Sequence, residues 1–224
     1  MKQMSRREQN RMERHKRILR AAVSVFAQSG YSGASMDEIA TTAQITKPTL
    51  YQYFPSKEAL FQAMMTAPRD AMLLAFDDAD GNDLVDQLLQ FAWSYAKTVM
   101  DPEFLSLARL IIGEAHRFPD VGRAYQKSGP DKVLQGLMAF MTNQRTNGRL
   151  KFDDAELAAQ DFWGLILSAP RNRALHVPSE HISKAEIERY INNGLHVFLK
   201  AYSTHPKTDL ETLDKAIERH KQTP

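Results

Sequence analysis

The chain has no cysteine, only ten glycines and ten prolines in 224 residues, and almost no strict alternation of apolar and polar residues. Without cysteine there is no disulfide framework and no thiolate chemistry. Sparse glycine and proline with little β-alternation argue against sheets and favour an all-α fold. No apolar run approaches the roughly 18 residues that would suggest a membrane span. The first twenty residues are charged and lack an apolar stretch, so they do not resemble a secretory leader. A reducing cytoplasm fits this profile, and a membrane does not.

Catalytic patterns are missing too. The seven histidines form no HExxH and no close pair with ligand spacing, so no metal site is expected. There is no GxGxxG, no P-loop and no GxSxG. The paired acids Asp77–Asp78 and Asp153–Asp154 fit a loop and a helix cap better than general acid–base work. No catalytic residue and no cofactor are expected, and the chain reads as a non-enzyme.

What is present is a marked asymmetry of charge. Net charge is only +2, yet residues 1–20 hold eight Lys/Arg against two acids, a net of +6 that leaves −4 for the rest. A basic end on a slightly acidic body suits a polyanion bound at one end. A solvated tail would look the same by charge alone.

Helical periodicity begins near Arg14 and runs to about Gln28, with Ile18, Ala22, Val25 and Phe26 on one face. Gly30 is placed to end that helix. The stretch Ser35–Glu38 matches a capping box and should open a short helix over about 36–42. A tight turn leads to Thr46, a good N-cap, with Pro48 in the first turn of the next helix. Two short helices joined by about four residues form a helix-turn-helix.

The second of these helices is too short to stand alone. At 100° per residue, Leu50 and Phe54 share a buried stripe, and Pro48 and Gln52 lie roughly opposite it. Thr49 and Tyr51 flank the outward face, and Tyr53 sits at the edge of the core. A coat of hydroxyls, an amide and phenols in place of Lys/Glu is the pattern of a DNA recognition helix. Pro48 and Gln52 would meet base edges, Pro48 by apolar contact alone, and Thr49 and Tyr51 would meet phosphates. Lys57 opens the following helix. A cation there opposes the helix dipole, which a nearby phosphate would resolve.

Further helices are expected over about 84–100, from Pro102 to about Arg117, through Val133–Met141, over 154–168 and over 184–202, with a short amphipathic one near 210–220. Pro68 should kink or break the helix that follows Ser56. Asp77–Asp83 should be a loop. Ser183–Glu186 is a second capping box.

These motifs, taken in order from Arg14 to Phe61, resemble the TetR/AcrR family of bacterial transcriptional regulators. The likeness rests on ILRAAVSVF (18–26), Gly30–Tyr31, SMDEIA (35–40), TKPTLYQYF (46–54) and SKEAL (56–60). Residues 107–119, LARLIIGEAHRFP, look like the C-terminal domain of the AefR-like branch. The resemblance implies an all-α homodimer of about nine helices. A three-helix DNA-binding head would precede a helical domain that binds an effector and dimerises.

The domains would then be a basic arm over 1–13, a helix-turn-helix domain over 14–56 and an effector and dimerisation domain over 57–224. The family pattern places operator contacts at Ser35, Thr46, Lys47, Thr49, Tyr51, Gln52, Tyr53 and Lys57. Pro48 departs from the commoner glycine, which stiffens the helix start. The basic arm would add minor-groove or phosphate contacts.

An effector cavity could be lined by Phe91, Trp93, Phe118, Met138, Phe140 and Trp163. Arg109, Glu114 and His116 could supply a polar anchor. The aromatics would serve equally as plain core, and the polar trio as a structural pair or surface cluster. The partners implied are double-stranded operator DNA, a small lipophilic or aromatic effector, and a second copy held through the helices at 154–168 and 184–202. Repression released by the effector is the first reading. Activation, or a sequence-indifferent architectural role, is the alternative.

Overall fold

The computed structural model of the protein describes residues 5–76 and 83–222. Among them are eleven α-helices and one 3₁₀ turn. They are α1 (Arg6–Gly33), α2 (Met36–Thr42), α3 (Lys47–Tyr53), α4 (Lys57–Leu73), α5 (Leu84–Val99), α6 (Pro102–Glu114), α7 (Pro119–Ser128), α8 (Pro130–Thr146), α9 (Ala155–His176), α10 (Lys184–Tyr202) and α11 (Pro206–Gln222); the 3₁₀ turn is Leu74–Phe76. The all-α expectation holds. The described residues contain only one isolated bridge, Leu150 to Ser203.

Two compact units divide the chain. The first comprises residues 1–68 and 102–129, the second 69–101 and 130–224. This division is not the one expected at residues 56 and 57. In the first unit Leu107 and Ile111 of α6 and Val121 of α7 share a single core with Ile18, Phe26, Ile39, Leu50 and Phe61. Apolar burial is non-directional, so helices distant in sequence join the head wherever their stripes fit.

The basic arm is also not separate from the helix that follows it. Ser5 caps α1 with a full capping box to Glu8, and α1 runs from Arg6 through what was read as the arm. Residues 1–4 lie outside the described residues. Gly30 adopts φ 72°, a left-handed value that turns α1 before a last turn over residues 31–33.

Two prolines do not stop their helices. Of the kink or break expected at Pro68, the break does not occur: the backbone of α4 is helical across position 68. Pro170 lies inside α9, which continues to His176 instead of ending near Ser168. Ala174 and Leu175 beyond it are buried. Their burial offsets the hydrogen bond that Pro170 cannot donate. The expected loop at Asp77–Asp83 lies outside the described residues apart from Asp83, which precedes α5.

The second unit is centred on α5, α8, α9 and α10. Its core includes Leu88, Phe91, Leu137, Phe162, Ile166, Leu195 and Phe198, all essentially inaccessible. Phe91 stacks on Phe76 at 4.9 Å between ring centres, and Phe76 on Phe140 at 4.2 Å. α9 and α10 approach closely at Gly194, where a Cβ would fall 2.7 Å from the carbonyl oxygen of Leu165. Arg149 clips the unit together, bonding Asp83 at 2.7 Å and the buried Asp209 at 3.1 Å.

Candidate nucleic-acid interface

The helix-turn-helix is built as its sequence implies. Ser35 accepts the amide of Glu38 at the start of α2. The expected capping box is only half made there, because the Glu38 carboxylate instead accepts the Ser29 hydroxyl at 3.2 Å. α2 ends with Ala43 N–H bonded to Ile39 O, and the turn continues through Gln44 at φ 53°. Ile45 N–H then closes on Ala40 O at 3.0 Å, fixing the angle at which α3 departs.

Leu50 is fully buried and Phe54 5% exposed, so the inward stripe of α3 lies where the angular reading put it. Pro48, Tyr51 and Gln52 are exposed on the opposite side. Among the described residues the Tyr51 hydroxyl and the Gln52 amide make no protein hydrogen bond. Their polar groups are therefore available to a partner. Thr49 is half-buried and its hydroxyl shares a 2.8 Å hydrogen bond with that of Thr46, the N-cap of α3. Tyr53 is half-buried with its ring 6.4 Å from His15 of α1. Burial, and secondarily the charge of Arg11, holds the His15 pKa below its ordinary value.

Two lysines differ from expectation in what they touch. Lys47 is exposed and ion-paired with Asp37 at 2.7 Å across the turn, which raises its pKa. Lys57 points into the head. Its Nζ donates to the Tyr31 carbonyl at 2.7 Å and the Ala34 carbonyl at 3.1 Å, and stands 4.6 Å from the centre of the Tyr31 ring. The puzzle of a cation at a helix N-terminus is answered inside the protein: the ammonium faces carbonyls left at the end of α1.

The basic surface is a helix face. Arg6, Arg7, Arg11, Arg14, Lys16, Arg17 and Arg20 are all exposed on α1. At 100° per residue, Arg7, Arg11 and Arg14 fall within about 40° of Ile18. They extend outward the face of α1 that carries the helix-turn-helix core.

The remaining candidates divide between the two units. Phe91, Trp93, Met138, Phe140 and Trp163 belong to the second, and Arg109, Glu114, His116 and Phe118 to the first. Phe91 is core. Trp93 and Met138 are half-buried. Trp163 meets Tyr95 edge-on at 5.7 Å, and among the described residues its buried indole N–H finds no hydrogen-bond acceptor. Arg109 donates to Ser106, His116 is exposed, Glu114 lies beside Gly30, and Phe118 lines a cavity within the first unit. Reading the sequence missed Gln87 and Gln144, a buried pair bonded at 3.3 Å in which Gln87 Nε2 also finds no acceptor among the described residues. Only Gln87's place four residues before Phe91 on α5 hinted at it.

Comparison with known proteins agrees with this geometry. Residues 18–64 match the model for bacterial regulatory proteins of the tetR family, and residues 86–204 match that for the C-terminal domain of AefR-like transcriptional repressors. The chain belongs to the TetR family. It is thus a DNA-binding transcriptional regulator and not an enzyme. It is 34% identical over 95 residues to the HTH-type transcriptional repressor NicS of Pseudomonas putida, a stretch that is 40% of this chain and 44% of NicS. It is 30% identical to the regulator UidR of Escherichia coli K12 over 61% of this chain and 69% of UidR. Among solved structures, Flavonoid-responsive Regulator FrrA has a TM-score of 0.65 at 32% identity, covering 86% of this chain and 98% of the other. TetR-family regulators bind DNA and dimerise. No described helix of this member is long and apolar enough to cross a membrane.

Proposed function

We propose that this TetR-family protein is a cytoplasmic, dimeric repressor that leaves a pseudo-palindromic operator when a small lipophilic or aromatic effector binds. The outward face of α3 carries the reading. Pro48 and Gln52 would meet base edges, and Thr49, Tyr51 and the α1 arginines phosphates. Ser35, Thr46 and Tyr53 would border that surface, and Lys47 would exchange Asp37 for a phosphate. Lys57 would serve the interface by holding the head and not by touching DNA. Two α3 helices would read half-sites about one helical turn apart, ~34–36 Å or somewhat more.

The second copy would dock through α9 and α10, where Leu157 is 58% and Val197 42% exposed. Exposed apolar side chains of this size on two long helices suit a four-helix contact across a two-fold axis. Leu157→Asp combined with Val197→Asp should yield monomers in sedimentation velocity.

Effector recognition is supported by the second unit's interior. Trp163 Nε1 and Gln87 Nε2 are buried donors that find no partner among the described residues. A buried donor left unpaired costs about 1–3 kcal/mol, which an acceptor oxygen on a ligand would recover. Phe91, Trp93 and Met138 would supply apolar walls. Arg109, Glu114, His116 and Phe118 belong to the other unit, where Phe118 lines a cavity.

A mobility-shift titration with the DNA upstream of the protein's own gene, run across a salt series with nonspecific competitor, tests the reading. Specific binding should survive competitor. Binding that is indifferent to sequence would favour an architectural role, and stimulation of transcription from the bound site would favour an activator.

A further inference from the structure

A cavity of about 590 Å³ lies wholly within the first unit, lined by Tyr31, Glu58, Phe61, Gln62, Arg117, Phe118, Pro119, Asp120, Val121 and Ala124. Its size is that of a small-molecule site. We propose that it binds a planar aromatic carboxylate carrying a hydrogen-bond donor at its far end, and that occupation loosens the seat of the helix-turn-helix.

The ligand class follows from which charges are already engaged. Asp120 is ion-paired with Arg123 at 2.6 Å. Glu58 accepts the Tyr31 hydroxyl, and its pKa is held low, first by its own backbone amide and then by Ser56. Arg117 is exposed, and among the described residues it makes no ion pair or hydrogen bond, only a cation–π contact 5.3 Å from the centre of the Phe118 ring. Among the described residues lining the cavity, the one uncommitted charge is therefore a guanidinium, whose fork suits a carboxylate. Phe118 and Pro119 offer accessible aromatic and apolar surface for a flat ring, backed by the buried Phe61 and Val121.

Glu58 supplies the other pole. Its bond from Tyr31 is 3.3 Å, longer than the usual O–H···O distance of about 2.7–2.8 Å. A ligand hydroxyl that reaches Glu58 at better length would replace Tyr31 as donor.

That exchange bears directly on DNA binding. Tyr31 accepts Lys57 through its carbonyl, and the same ammonium holds Ala34, the residue before the N-cap of α2. Lys57 also stands 4.6 Å from the centre of the Tyr31 ring, so moving that ring away from Glu58 removes this contact and disturbs the tie that joins α1, α2 and α4. The coupling rests on the regulator reading above, whereas the binding does not.

Calorimetric titration of the full-length protein tests the site. The probes are 4-hydroxycinnamate, cinnamate (no donor) and 4-hydroxycinnamyl alcohol (no acid). The hydroxy acid should bind once per chain, and each analogue about tenfold more weakly or worse. Arg117→Gln, an exposed substitution, should remove the preference for the acids, and Trp163→Phe in the second unit should change nothing. No binding, equal binding of all three probes, or dependence on Trp163 without dependence on Arg117 would overturn the site. Saturating 4-hydroxycinnamate should weaken binding to the upstream DNA at least threefold in the natural protein and not in Arg117→Gln. Unchanged DNA affinity would overturn the coupling. Ligand binding with no specific DNA binding at all would refute the regulator reading and the coupling but leave the site standing.

Discussion

Replacing Lys57 by Met separates two roles that a lysine at this position could have. The substitution keeps an aliphatic stem of similar reach and deletes only the ammonium. What is lost is a pair of charge-assisted hydrogen bonds, at 2.7 Å to Tyr31 O and 3.1 Å to Ala34 O, and the contact with the Tyr31 ring. Bonds to charged groups contribute about 1.5–3 kcal/mol each when buried. Lys57 is only half-buried and water can reach the freed carbonyls, so a net loss of about 2 kcal/mol is the reasonable figure. For a chain of this length that lowers the thermal midpoint by about 4–8 °C. A phosphate contact would behave differently. It would leave stability alone and reduce the slope of log affinity against log salt by about 0.9 per protomer. Calorimetry and a salt-dependent DNA titration on the same variant therefore decide the matter. An unchanged midpoint with a reduced salt slope would refute the strut and restore Lys57 to the DNA surface.

Other outcomes follow from the same head and core. Tyr51→Phe should weaken operator binding about three- to tenfold with an unchanged circular dichroism spectrum; an unchanged affinity removes Tyr51 from the interface. Gln52→Ala should cost ~1–3 kcal/mol at one base pair and relax specificity there, read by a panel of substituted operators. His15 is held below the ordinary 6.5 by burial and by Arg11, so the unfolded chain binds its proton first. Stability should fall as pH drops below about 6.5, and His15→Gln should flatten that part of the urea-midpoint profile. Gly194→Ala would press a methyl against the Leu165 carbonyl and should destabilise the protein by about 1–3 kcal/mol in denaturant unfolding.

The division of labour on α3 was readable because a seven-residue helix has few ways to dock. Leu50 and Phe54 are its only strongly apolar pair on one stripe, so burying them sets the bearing of Pro48, Tyr51 and Gln52. Caps were equally legible at Ser35, Thr46 and Ser183, since their hydroxyls act within one turn. The glutamate half of the capping box was not. Glu38 turned to Ser29 and Glu186 to Arg173, partners nine and thirteen residues away. Long carboxylates choose between near and distant donors, and only the folded chain presents the distant ones.

Local chemistry alone was enough to establish an all-α chain, the position of its helix-turn-helix, the polar face of α3 and the membership suggested by its motifs. Each depends on periodicity, capping and turn stereochemistry that act over a few residues. Tertiary structure decided the rest. It joined α6 and α7 to the head's core, carried α9 through Pro170, drew Lys57 inward, and parted the nine proposed effector residues between two units. Those outcomes turn on which apolar stripes meet and which charges find partners across the chain, and neither is encoded in the spacing of neighbouring residues.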